Sequence, residues 1–335
     1  MKAEALQRAL MNPAIYPDHP GRVGFTETHI SMLFFTGRHV YKVKKPVNFG
    51  FLDFTTLEKR KHFCQLELTL NRRLSRDIYL DVVVITQRGG KIDLHGQGRA
   101  VEYAVKMNQI PEDRLMDRLL DRGLVTPKMV AAVAKRLADF YRTAENNEKI
   151  KGFALPDRVK EDTDENFEQT RSYVDRTISR EQFDGIQGAT NGFLSRHRER
   201  FLKRCEEGWI RDCHGDLRLE HVFFGEEISI LDCIEFNERF RYTDVAADIG
   251  FLAMDLDFRG REDLGDYLIE RYADLAGDRG VYSVLDFYKC YRAYVRGKVE
   301  SFRLDDPLMD RVEKEKAASR ARGYFQLAHR YAGRL

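Results

Sequence analysis

The sequence predicts an α+β fold in two parts: a small N-terminal part (residues 1–108) with a five-stranded antiparallel sheet and one helix, then a larger helical part (residues 109–335). Three observations predict it. Alternating, β-rich runs crowd the first hundred residues. Apolar residues at helical spacing dominate from Pro111 onward. One island of strand and loop, Trp209 to Asn237, interrupts the helices.

The first strands lie between residues 22 and 45. Phe25-Thr26-Glu27-Thr28 leads into Met32-Leu33-Phe34-Phe35, and the turn Thr36-Gly37-Arg38 returns the chain as Val40-Tyr41-Lys42-Val43, a hairpin signal. A helix follows, with Thr55 three residues before Glu58 at capping-box spacing, and runs to about Leu74. Tyr79–Ile85 and Ala100–Val105 read as two more strands joined through Gly89-Gly90. Thr126-Pro127 is an N-cap with proline in the first turn, and Met129, Val130, Val133, Leu137, Phe140 and Tyr141 form an apolar stripe behind it. Charged helical stretches continue to about Arg204, and helix resumes at Val245. The two parts join near Met107.

Composition narrows the function classes. With 43% hydrophobic and 33% charged residues among 335, the chain builds packed cores and is not disordered. Lys and Arg number 56 against 54 Asp and Glu, so no charge excess calls for nucleic acid or a membrane surface. The five cysteines (Cys64, Cys205, Cys213, Cys233, Cys290) are odd in number and lack Cys-x-x-Cys spacing, as expected of reduced thiols in a cytoplasmic protein. No signal-peptide pattern or membrane-spanning apolar run is read, and the expected partner is a small molecule. The sequence does not specify an oligomeric state.

The chemistry concentrates in Cys213-His214-Gly215-Asp216-Leu217-Arg218-Leu219-Glu220-His221, with Asp232 following. Val222-Phe223-Phe224 and Ile228-Ser229-Ile230-Leu231 read as a short hairpin about Gly225, so Asp216 enters it and Asp232 leaves it. Two converging carboxylates must share a cation or a proton, which suggests a base beside a metal ligand. The alternative is a pair of turn aspartates capping backbone amides.

His214-Gly215-Asp216 with a polar side chain five residues beyond the aspartate, then Asp232 after a hairpin, resembles the catalytic and metal loops of aminoglycoside phosphotransferases. That family includes choline-kinase-like enzymes and is related to protein kinases. The chain is most similar to a bacterial branch of it without a defined substrate. Thr28-His29-Ile30-Ser31, Val40–Lys45, Gly50–Phe54, Asp232–Asn237 and Tyr291–Arg296 carry the likeness across most of the chain.

The resemblance implies a protein-kinase-like two-lobe fold holding ATP or GTP in the cleft, with Mg²⁺ or Mn²⁺. Asp216 would be the base toward an acceptor hydroxyl, and Asp232 with His221 would hold the metal. The family usually has asparagine where His221 stands, and imidazole suits softer metals than magnesium. Such folds pair a third-strand lysine with a helix glutamate to hold phosphates. Lys42 and Glu67 take those places, with Lys44 in reserve; otherwise Glu67 snorkels from the edge of its stripe. Thr28 and Ser31 would cover the phosphates, since no glycine-rich loop is present, and Met107 would border the nucleotide. His214 and Asp248 would support the catalytic loop. Glu235 would assist the metal or bond the loop.

Tyr288, Arg292 and Arg296 fall on one helical face, which is either a solvated basic face or a seat for an anionic acceptor. Two features depart from protein kinases: about seventy helical residues before His214, and no Ala-Pro-Glu segment after Asp232. Both favour a small acceptor. A non-catalytic nucleotide-binding scaffold and a nucleotidyl transferase are the rival readings.

Overall fold

A computed structural model describes residues 3–335. In chain order the elements are α1 Ala3–Leu10, β1 Gly24–Glu27, β2 Ser31–Phe35, β3 His39–Lys44, α2 Leu57–Asn71, β4 Tyr79–Arg88, β5 Lys91–Leu94, β6 Arg99–Asn108, α3 Met116–Asp121, α4 Pro127–Thr143, α5 Glu148–Gly152, α6 Pro156–Thr170, α7 Arg180–Arg196 and α8 Arg198–Glu206. They continue with β7 Ile210–Asp212, β8 Val222–Phe224, β9 Ile228–Ile230, α9 Glu238–Arg241, β10 Tyr242–Asp244, α10 Val245–Phe258, α11 Glu262–Ala276, α12 Leu285–Phe302 and α13 Arg311–Ala332. Two compact units result: Met1–Gly123 with Glu220–Glu238, and Leu124–Leu219 with Arg239–Leu335.

The first unit carries an antiparallel sheet in the order β1-β2-β3-β6-β4-β5. It has six strands where five are expected. The extra one, β5, is a four-residue run (Lys-Ile-Asp-Leu) returning from the Gly89-Gly90 turn, where both glycines have positive φ. Such a short edge strand leaves little periodic signal. One sheet face buries Phe34, Tyr41, Val43, Val83, Ile85 and Ala104 together with Leu6 and Leu10 of α1, a helix the sequence reading omits. Helix α2 starts one residue later than expected. Thr56 accepts from Lys59 N and is the cap, while Thr55 bonds Asp53 instead.

The β8–β9 hairpin closes onto the end of α2. Ile230 N donates to Leu74 O (3.4 Å), and Cys233 N donates to Asn71 Oδ1 (2.9 Å). Buried backbone groups need such partners, so these bonds define where the chain after β9 lies.

The second unit is helical. Phe167, Phe183, Phe251, Tyr294, Phe325 and Tyr331, contributed by five helices, share one core. Its only sheet among the described residues is the antiparallel pair β7–β10, three residues each, and β7 runs directly into His214. Among the described residues no helix is long and apolar enough to cross a membrane.

Candidate active site

In the first unit, strand alternation places Lys42 and Lys44 on the same face of β3. Helix α2 buries Arg60, Cys64, Glu67, Leu70 and Asn71, so Glu67 sits within its buried stripe with no exposed surface. A buried carboxylate needs cations, and it meets two: Lys42 Nζ lies 2.8 Å from Oε1 and Lys44 Nζ 2.6 Å from Oε2. Lys44 is therefore a full partner of Glu67, not a reserve. It also pairs with buried Glu235, whose role the sequence leaves open.

Lys42 continues outward to Asp232, Nζ to Oδ1 2.7 Å, and the Asp232 side chain is half exposed. Burial pushes the Glu67 carboxyl up, but the two lysines outweigh it and hold it below its ordinary value. Burial works against the Lys42 ammonium too, yet Asp232 and Glu67 hold it well above the usual lysine range. For Glu235 burial wins over Lys44, and its carboxyl is raised.

Asp232 has φ +61, the left-handed region that an aspartate tolerates better than most side chains. Tyr79 Oη accepts from its N–H at 3.2 Å, which helps hold this conformation. His221 Nε2 lies 3.9 Å from Asp232 Oδ2 and 3.8 Å from Glu220 Oε1. Two lysines face three carboxylates in this network, so it carries one negative charge in excess. That excess, with carboxylate oxygen and imidazole nitrogen converging at its exposed end, fits a divalent cation. Among the described residues no three ligating side chains form a ready cage.

In the second unit, the loop after β7 is fixed from beneath. Asp248, fully buried on α10, accepts from His214 N (3.0 Å), Gly215 N (2.9 Å) and Tyr141 Oη (2.9 Å). Burial and Asp248 together raise the Tyr141 hydroxyl well above its ordinary value, so it stays a donor. Gly215 has φ +89, a conformation glycine adopts without steric cost, and Asp216 N donates to His214 Nδ1 (3.3 Å). Asp216 is part-exposed and forks with Arg218, Oδ1 to Nε 3.0 Å and Oδ2 to Nη2 2.9 Å. Sequence reasoning quotes Arg218 within the loop but assigns it no role. A charged residue two positions from an aspartate on a loop gives no periodicity to read.

Other expected residues lie elsewhere. Arg292 is buried and donates to Ala247 O and Gly215 O, so it buttresses the loop from behind. Arg296 bonds Glu300 at 3.3 Å, and its guanidinium lies 5.7 Å from the Tyr324 ring centre. Tyr288 is buried as well, so this face of α12 is not a solvated basic stripe. Thr28 Oγ1 accepts from Ile30 N (3.3 Å) and Ser31 N (3.0 Å), so these turn amides are occupied locally, and Ser31 is buried. Met107 pairs with Val40 and Tyr79 in the sheet.

Comparison with known proteins follows the same division between fold and chemistry. No family model matches the chain. It is 36% identical over 278 residues to uncharacterised proteins of Mycobacterium tuberculosis and Mycobacterium bovis, covering 83% of this chain and 54% of theirs. The chain thus spans about half the length of these relatives.

Three solved structures are similar over nearly their whole length. One is a choline/ethanolamine kinase family protein from Mesorhizobium loti (TM-score 0.52, 14% identity, 98% of this chain and 99% of that one). Another is a protein assigned as an aminoglycoside phosphotransferase from Ralstonia eutropha (TM-score 0.55, 13% identity, 99% and 98%). The third is amicoumacin kinase hAmiN, solved with AMP-PNP and Ca²⁺ (TM-score 0.52, 10% identity, 97% and 93%). At these identities the likeness is one of fold, and the fold is kinase-like.

Proposed function

We propose that the chain is an ATP-dependent phosphotransferase acting on a hydroxyl of a small molecule. The observation that carries this reading is the buried network Lys44–Glu67–Lys42, which ends on the half-exposed, left-handed Asp232. A purely structural ion pair has no need to deliver an ammonium to an exposed carboxylate. In this reading Lys42, held by Glu67, neutralises phosphate charge. Asp232 and His221 would hold Mg²⁺ or Mn²⁺, which would supply neutralisation of the nucleotide's phosphate charge. Asp216 orients the acceptor hydroxyl and accepts its proton, on a loop that Asp248, His214 and Arg292 keep in place. Most of the acceleration comes from positioning and preorganised charge.

ATP or GTP is expected to raise the unfolding free energy only when a divalent metal is present. The gain is about 2.7 kcal/mol at a ligand concentration a hundredfold above its dissociation constant. Absence of any metal-dependent shift with purine triphosphates would overturn the proposal. ATP labelled at the α or the γ position then tells nucleotidyl from phosphoryl transfer. The non-catalytic binding module has one observation in its favour, the two-pronged Arg218 contact on Asp216.

His221 gives a second expected result. An imidazole ligand should favour manganese over magnesium, and His221→Asn should restore magnesium preference while turnover persists. Turnover or nucleotide affinity in each metal measures this, and an unchanged preference removes His221 from the ligand set.

A further inference from the structure

We propose that a second cavity, made of none of the residues assigned above, binds a compact polyanion of phosphate chemistry such as a polyphosphate chain. It lies in the second unit between α8, the turn that follows α8 and the α11–α12 connection. Its volume is about 500 Å³, within the range of small-ligand sites.

Four cations, Arg200, Lys203, Arg204 and Arg279, line it against one carboxylate, Glu207, and beside the Trp209 indole. They do different work. Arg204 is buried and forks onto Asp244 and Asp278, so its charge is balanced inside the fold. Its guanidinium lies 5.5 Å from the Trp209 ring centre, and Trp209 Nε1 donates to Glu207 Oε2 (3.2 Å), which fixes the indole as a wall.

The other three cations are exposed and weakly engaged. Arg200 donates to a neutral acceptor, Ser283 O (2.9 Å), and Lys203 stands 3.7 Å from Glu207. Arg279 pairs with Asp274 at 2.8 Å, with its own side chain largely in solvent. Exposed pairs of this kind contribute little, so a multivalent anion can take their place. Arginine forks match phosphate oxygens two at a time, which favours phosphate over a halide or a monocarboxylate. The floor is kept open by Gly280, where a Cβ would come within 3.1 Å of Arg204 Nη1.

The cavity is also wired to the loop that carries Asp216. Trp209 O accepts from Val245 N at 3.0 Å, at the first residue of α10. Asp244, held by Arg204, caps that helix by accepting from Ala246 N (2.8 Å), and α10 presents Asp248 to the loop amides. Trp209 immediately precedes β7, which feeds into His214. An anion drawing Arg200 and Arg279 over the Trp209 wall therefore acts on the segment that anchors the loop.

Because the sequence contains one tryptophan and it lines this cavity, its emission follows occupancy of the cavity, and the variants separate that from events elsewhere. The full chain is titrated with inorganic phosphate, pyrophosphate and tripolyphosphate at constant ionic strength, with chloride as the reference. The expected result is a saturable change in emission, tighter with each added phosphate and weakened by added salt. Arg200→Glu/Arg279→Glu should raise the dissociation constant at least tenfold, whereas Lys42→Met should leave it unchanged. Calorimetric titration of Arg200→Gln/Arg279→Gln repeats the comparison if the charge reversal does not fold. No saturable change would overturn the site. So would a response that Lys42→Met abolishes and the cavity variants retain, since it would belong to the proposed nucleotide site.

Discussion

Glu67→Gln is expected to destabilise the protein by about 3–5 kcal/mol, the range seen when one partner of a buried ion pair is removed. The substitution keeps the volume, so no cavity term enters. It leaves Lys42 and Lys44 facing one amide, with only Glu235 and Asp232 to balance them. Adding Lys42→Met should restore part of the loss, because a buried ammonium without its counter-charge is removed at the same time. The double mutant should therefore fall short of the sum of the singles by about 0.5–3 kcal/mol. Denaturant midpoints with unchanged slopes measure this, and strict additivity would show that the pair contributes nothing as a pair.

The pH dependence follows from the direction of the shift. The Glu67 carboxyl lies below its ordinary value in the folded protein, so its contribution is complete above the unfolded carboxylate pKa of about 4.3. It is lost as pH falls through the lower folded value. Wild type and Glu67→Gln should thus differ by a constant amount from neutrality to about pH 5 and converge below about pH 4. Glu235 is shifted upward, so it does not produce this acid-side loss.

This network shows which parts of the site the sequence discloses. Period-two alternation puts Lys42 and Lys44 on one strand face, and helical spacing puts Glu67 in an apolar stripe, so a buried cation–carboxylate contact is legible. Which lysine takes part is not, because a carboxylate has two oxygens and both are used. Asp232 is found through its place after a hairpin, although its left-handed backbone leaves no mark in the sequence.

The solvated-face reading of α12 fails for a readable reason. Spacing places Tyr288, Arg292 and Arg296 on one side, but Phe287, Cys290, Ala293 and Tyr294 surround them. What that side meets is decided by tertiary partners, since Arg292 is buried donating to Ala247 O and Gly215 O. The three-residue strands β7 and β10 and the four-residue edge strand β5 are too short for periodicity, so tertiary pairing decides them. The return of Glu220–Glu238 to the first unit is likewise a tertiary outcome.

Asp216→Asn is expected to lower turnover by about 10²–10⁴, the usual contribution of a positioned general base, while leaving the fold intact. In free energy this is about 2.7–5.4 kcal/mol of the barrier, at 1.36 kcal/mol per decade. Asp216 is part-exposed and its ion-pair partner lies two residues away on the same loop, so little global stability rests on it. Nucleotide affinity should change by no more than a few-fold, because phosphate binding is assigned to Lys42 and Asp232.

Asp248→Asn provides the contrast. Its carboxylate serves two amides and a tyrosine hydroxyl from a fully buried position, and an amide turns one of those acceptors into a donor facing donors. That variant should lose both turnover and stability, the latter by about 1–3 kcal/mol. The diagnostic comparison is therefore activity against melting temperature in the two proteins. Full turnover in Asp216→Asn would remove it as the base. Equal loss of stability in both variants would make Asp216 a structural residue of the loop, and would leave Arg218 as its reason for being there.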